Sequence, residues 1–291
     1  MHRRLKHSAL ILFFVGVPML PLIMFWFIPM IVSVWLSLTD WDYISPDIHY
    51  VGLSNYVALM HSADFTTALG HTIVFMLWTT FPTLVLGFLL ALLLRVIVKG
   101  RPLFQALIFA PWVTPMVAMS IVWSWIFDPK AGLFNQLLGL LHLYEPSWLQ
   151  SSTFAMWAVI IVTVWKGIGW CMVFYSDALG KIPDDLLDVC ALEGTSVLQR
   201  IVKLYLPLVS PMTLFLMVTT IINALQAYDQ IQVMTQGGPA GSTRTLLYLY
   251  YQTAFQQFNM GQAAALAIVL VGMTAVISFI QFGLSKLWVH Y

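Results

Sequence analysis

Six long apolar runs, separated by short polar connections, set the pattern of this chain. Windows of about 20 apolar residues mark helices able to cross a hydrocarbon core. The runs fall near residues 9–38, 68–94, 104–127, 154–175, 204–228 and 262–288. The first is longer than a bilayer needs and holds Pro18, Pro21 and Pro29, which predicts tilting or kinking. Its opening, MHRRLKHSALILFFVGVPML, has the basic and apolar start of a secretory leader. The apolar run nevertheless continues to about Leu38 without a small-residue cleavage site, so it reads as a retained first span. The predicted fold is an all-α integral membrane protein with six transmembrane helices, forming one transmembrane domain over 1–291. No gap is long enough for a soluble domain between spans.

One polar stretch interrupts this pattern in a different way. Residues 183–207, PDDLLDVCALEGTSVLQRIVKLYLP, read as a charged helical hairpin between the fourth and fifth runs. Pro183 fits the first helical position, where its missing N–H costs nothing, and Asp184 and Asp185 complement the positive helix start. Gly194 suits the left-handed residue that closes a helix. Ser196 with Gln199 forms a capping-box pattern that opens a second helix leading into the fifth run. The expectation is a helix that docks on a partner, not a catalytic loop.

Composition fixes the solvent. The chain is 60% hydrophobic and 9% charged, with a mean hydropathy of +0.86, whereas a soluble domain carries roughly 25% charged residues. Lipid bilayer is therefore its expected surroundings, and a net charge of +1 argues against nucleic acid. Cys171 lies in a span and Cys190 in the hairpin, so both read as free thiols. Lysine and arginine set the orientation. Arg3, Arg4, Lys6, Arg95, Lys99, Arg101, Lys181, Arg200, Lys203 and Lys286 fall on one side, against Lys130 and Arg244 on the other. Both termini and the hairpin are thus expected in the cytoplasm, and loops 39–67, 128–153 and 229–261 outside.

No enzyme motif emerges. Gly180-Lys181 lacks the upstream glycine of a phosphate loop, no HExxH or GxSxG occurs, and the seven histidines are scattered. Any ATPase driving uphill transport must be another polypeptide. The sharpest intramembrane feature is Lys166 in VTVWKGIGW, because a mid-span lysine costs about 2.5–3.5 kcal/mol on insertion scales. It reads either as the lining of a solute path or as the partner of a carboxylate or carbonyl of a neighbouring subunit. In the first case Gly167 and Gly169 open space, and Trp165 and Trp170 offer flat faces to a sugar ring. The end of the fifth span gathers Asn223, Gln226, Tyr228, Asp229 and Gln230. Asn223 and Gln226 share a helix face, and Asp229 and Gln230 are expected to continue it. Such groups suit hydroxyl-rich solutes, or serve as polar glue between helices. Trp41, Trp123 and Trp125 fit membrane interfaces. Residues 235–239, TQGGP, form a turn, either an ordinary loop or a rigid knuckle.

Together these segments resemble the permease subunits of binding-protein-dependent ABC importers, in the carbohydrate-uptake group that includes the maltose and glycerol-phosphate permeases. Asp188, Val189 and Cys190 stand where that family has Glu-Ala-Ala. Gly194 follows four residues after Cys190, and Leu204-x-Leu206-Pro207 closes the motif. DALGKIPDDL (177–186), YVGLSNYVAL (50–59), FAPWVTPMVAMSIVWSWIFDPKAGLFNQLL (109–138) and TQGGPAGSTRTLLYLYYQTAF (235–255) also fit, so the likeness spans almost the whole chain. The triplet departs from the pattern by a shorter acid and two bulkier residues. The resemblance implies that the loop 177–207 carries a coupling helix docking on an ATPase. Pro183, Asp184, Asp185, Leu186, Leu187, Asp188, Cys190, Ala191, Glu193, Gly194 and Pro207 would be its coupling residues. It also places Trp165, Lys166, Gly167, Trp170, Asn223, Gln226, Tyr228 and Asp229 along a substrate path. Implied partners are a second homologous permease, two ATP-binding subunits holding ATP and Mg, and an external substrate-binding protein. The implied location is the cytoplasmic (inner) membrane of a prokaryote, with no cofactor or metal in this chain. The alternative is a self-contained secondary transporter or channel, which would show symmetric halves or buried acid and histidine relays.

Overall fold

In a computed structural model, residues 13–96 and 99–289 are described. Arg3, Arg4, Lys6 and the first residues of the expected first span lie outside them. The described residues are helical, with a lone antiparallel bridge between Thr39 and Tyr50. In chain order the helices are α1 (Phe13–Leu36), α2 (Ser54–His61), α3 (Ala63–Val96), α4 (Arg101–Val113), α5 (Met116–Ile126), α6 (Leu133–Leu140) and α7 (Ala155–Gly180). They continue as α8 (Asp184–Leu192), α9 (Val197–Leu208), α10 (Ser210–Leu225), α11 (Asp229–Met234), α12 (Leu246–Tyr251) and α13 (Met260–Trp288).

Among the described residues four helices, α1, α3, α7 and α13, are long and apolar enough to cross a membrane. The pairs α4 with α5 and α9 with α10 have the needed length only together, and they bend by 98° and 70°, giving up to six spans if each bent pair is one. This amends the expectation of a single helix over 104–127 and over 204–228. The cause is proline at i and i+4. Pro115 has no N–H for the carbonyl of Pro111, and Pro211 has none for that of Pro207, so each helix loses a rung. In the second case the Ser210 hydroxyl donates to the Pro207 carbonyl at 2.6 Å. Thr114, before Pro115, is extended at ψ 138°.

The chain divides into two compact units, one of Met1–Phe65 with Leu249–Val271 and one of Thr66–Tyr248 with Gly272–Tyr291. In the first, α1 buries nothing, and the segment after it is tied down by polar contacts. The Asn55 amide donates to the carbonyls of Ser37 and Thr39 at 2.9 and 2.8 Å. Gly261 donates its N–H to the Trp41 carbonyl at 3.0 Å and lies so close to the Thr39 carbonyl that any side chain would collide.

The second unit is organised around α7, which helps form two apolar clusters. Its buried residues from Met156 to Val164 pack with Phe75, Phe127, Trp148, Ile221, Ile231 and Tyr248. Those from Cys171 to Leu179 pack with Leu84, Phe88, Leu94 and Leu216. Helix α4 crosses α7 at Gly169, where a Cβ would strike the Ile108 carbonyl. Small residues permit such close backbone approach where hydrophobicity alone does not drive helices together. Residues 165–167 belong to neither cluster, and there the packing opens.

Candidate functional site

The opening is a cavity of about 150 Å³ walled by α3, α4, α5, α7, α10 and α11. Of the residues expected along a path, Lys166, Gly167, Trp170 and Asn223 line it. Trp165, Gln226, Tyr228 and Asp229 do not. Trp165 stands edge-on to Trp123 at 5.3 Å between ring centroids. Helix α10 ends at Leu225, so the face carrying Asn223 does not continue. Gln226 caps that end, exposed, while Tyr228 stacks on Tyr248 at 6.1 Å. Asp229 opens α11 exposed, and Gln230 turns inward to the cavity wall.

Lys166 has a third role that sequence reading did not weigh. Its ammonium donates to the carbonyls of Pro111, Trp112 and Thr114 at 2.8, 2.8 and 2.6 Å. All three belong to the broken end of α4 in this same chain. The Pro111 carbonyl is the one orphaned by Pro115, and a cation at a helix C-terminus also complements the helix dipole. An ammonium has three N–H donors, so this staple uses every one. The charge also sits 5.6 Å from the centroid of the Trp112 ring, and Trp112 stacks on Trp170 at 4.9 Å and 25°.

Sequence reading missed Trp112, Thr79, Thr83, Thr163 and Thr220, all of which line the cavity. Thr79 and Thr83 are four apart on α3, hence on one face. That spacing was the available signal. Gly167 faces Thr83, where a Cβ would lie 3.0 Å from Cγ2, so its smallness lets α3 approach α7.

The hairpin after α7 has the expected caps. Pro183 is the N-cap residue, one position earlier than predicted, and Asp184 and Asp185 fill the first turn. Gly194 is left-handed at φ +64°. The Gly194 and Thr195 N–H groups donate to the carbonyls of Ala191 and Cys190 at 3.2 and 3.1 Å, the paired bonds of a Schellman ending. Ser196 and Gln199 form the complete capping box. Helix α8 buries nothing. Leu186, Asp188, Val189, Ala191, Glu193 and Gly194 are exposed, whereas Leu187, Cys190 and Pro207 are half-buried. Arg95 clamps the root of the hairpin. It donates to the Leu179 carbonyl at 2.8 Å and lies 5.4 Å from the centroid of the Tyr205 ring, so it touches the chain before and after the loop. Both cysteines are free. The turn at 235–239 is held by Thr243, whose hydroxyl pairs with Thr235 at 2.7 Å and reaches the Gly238 carbonyl at 3.0 Å.

A small cavity holding a lysine, an asparagine and four threonines among helices long and apolar enough to cross a membrane, with a capped and exposed helical hairpin after α7, fits a membrane-transport subunit. The family described as "Binding-protein-dependent transport system inner membrane component" matches residues 83–287. The chain belongs to that family, the permease subunits of ABC importers, as its motifs suggested. The probable ABC transporter permease protein YurN of Bacillus subtilis (strain 168) is 31% identical over 274 residues, covering 93% of this chain and 94% of that protein. The sn-glycerol-3-phosphate transport system permease protein UgpA of Salmonella typhimurium is 31% identical over 260 residues, covering 89% and 88%. The fold is shared with a chain of the bacterial alginate ABC transporter in complex with alginate pentasaccharide-bound periplasmic protein. The TM-score is 0.85 at 19% identity, covering 98% of this chain and 96% of that one.

Proposed function

We propose that this chain forms half of the translocation path of an ATP-driven importer for a sugar, oligosaccharide or polyol phosphate delivered by an external binding protein. The observation that carries the reading is the cavity around Lys166. It sets Lys166, Asn223, Gln230 and four threonines into a largely apolar wall, yet at about 150 Å³ it falls below the ~300 Å³ of a small ligand site. A half-sized site calls for completion by a second permease subunit. The names of the curated relatives support the solute class, and family membership weighs against a self-contained transporter or channel.

The lysine and arginine distribution supports six spans with both termini and α8 in the cytoplasm. Helix α8 is then the coupling element. Its carboxylates and exposed Leu186 and Val189 would seat in a partner ATPase, which binds ATP and Mg and supplies the hydrolysis this chain lacks. The Schellman ending and the capping box would let the hairpin move as one piece. The membrane is the cytoplasmic membrane of a prokaryote.

Native mass spectrometry of the tagged chain, co-expressed with its genomic neighbours and gently extracted, tests this reading. The expected mass contains one copy of this chain, one second permease and two ATPases. A stable monomer or homo-oligomer without ATPase, with those neighbours present, overturns it.

A further inference from the structure

The charged donor and the hydroxyl protons of the cavity wall are already committed, and this narrows the solute. Each wall threonine gives its hydroxyl proton to its own helix. Thr79 donates to the Phe75 carbonyl at 2.7 Å and Thr83 to that of Thr79 at 2.6 Å. Thr163 donates to Val159 at 2.8 Å, and Thr220 to Leu216. What these hydroxyls still offer is lone pairs. The Gln230 amide donates to the Thr163 oxygen at 3.3 Å. Lys166 is the one charged residue of the wall, and its three donors end on the carbonyls of α4. The side-chain donors left on the wall are neutral ones, the Asn223 amide, the second N–H of Gln230, the Cys171 thiol and the indole N–H groups of Trp112 and Trp170. Asn223 is exposed and offers both a donor and an acceptor.

A phosphate or carboxylate brings acceptors only, and a buried anion needs several donors or a free cation in exchange for its water. A sugar hydroxyl brings a proton as well as lone pairs, and the apolar atoms of Trp112, Met116, Trp170 and Ala224 on the wall suit its ring carbons. We infer that this chain's half of the site favours a neutral polyhydroxylated solute over a phosphorylated one. Lys166 acts as a positioning residue that holds the bend of α4 rather than as an anion receptor. This inference rests on the importer reading above.

The test uses the complete transporter with its binding protein, in proteoliposomes loaded with ATP. Uptake is read by mass spectrometry from a mixture of neutral mono- to tetrasaccharides and polyols with sn-glycerol 3-phosphate and hexose phosphates. Accumulation of a neutral member, with phosphorylated members below about one-tenth of its rate, is the expected result. Asn223→Asp keeps an acceptor for solute hydroxyls but adds negative charge, whereas Asn223→Leu removes both functions. For a neutral solute, Asn223→Leu is expected to lower kcat/KM at least about fivefold, the equivalent of one lost hydrogen bond, and Asn223→Asp less. Uptake of a phosphorylated solute that Asn223→Asp abolishes more completely than Asn223→Leu overturns the assignment and leaves the importer standing. Assembly without any ATPase, or uptake independent of ATP, overturns the importer reading and this assignment with it.

Discussion

Lys166→Met retains the length and apolar stem of the side chain and deletes all three of its donors. Hydrogen bonds from a charged group contribute roughly 1.5–3 kcal/mol each, and Lys166 is half-buried, which favours the low end. Water entering the cavity recovers part of the loss at the Trp112 and Thr114 carbonyls. The Pro111 carbonyl has no backbone alternative, because Pro115 cannot donate. The net destabilisation expected for Lys166→Met is therefore about 2–4 kcal/mol, the cost of one orphaned carbonyl and two partly recovered bonds. Lys166→Gln keeps two N–H donors and is expected to recover about half of it. Thermal unfolding of the purified transporter in detergent, followed by tryptophan fluorescence, reads the order wild type, glutamine variant, methionine variant. A methionine variant that unfolds with the wild type, or a glutamine variant no better than it, would refute the staple.

Three further outcomes are expected. Gly194→Val forces a β-branched residue to φ +64°, at a local cost of at least about 1–2 kcal/mol. Membrane insertion should persist while solute uptake separates from ATP hydrolysis; unchanged uptake in proteoliposomes would sink the coupling role of α8. Arg95→Gln removes the cation over Tyr205 and weakens the bond to Leu179, so binding-protein-stimulated ATPase should fall several-fold with assembly intact by size-exclusion chromatography. Stimulation at the wild-type level would show that the clamp is dispensable. Gly169→Val pushes α4 off α7 through the Ile108 carbonyl and should destabilise by about 1–3 kcal/mol, as overpacking does. An unshifted unfolding temperature would contradict that crossing.

The local grammar of this chain was legible without its fold. Apolar runs of span length and the caps of the 183–207 hairpin follow from neighbours in sequence. Gly194 closes α8 and Ser196 opens α9 whatever the rest of the chain does, because those hydrogen bonds reach at most five residues. The prolines at 111, 115, 207 and 211 also carried the information for two bent spans. That information is a missing rung, which says where a helix weakens but not by how much it turns.

Tertiary structure decided what fills the missing rungs. Ser210 closes one from three residues away, and Lys166 closes the other from a helix 55 positions removed in sequence. The character of the cavity depended on the same long-range choice. A mid-span lysine reads as path lining or as the partner of a neighbouring subunit until the carbonyls of its own chain are seen. The four wall threonines, which the sequence did not single out, show only in the fold that their protons go to their own helices. Asn223 lines the cavity and Gln226 does not because α10 stops at Leu225. The sequence by itself determined the solvent, the number of apolar runs and the caps, since each depends on composition or on contacts within one turn. Where polar groups point, and which of them remain open to a solute, was decided by the packing of distant helices, because a hydrogen-bonding group is defined by its partner as much as by its residue type.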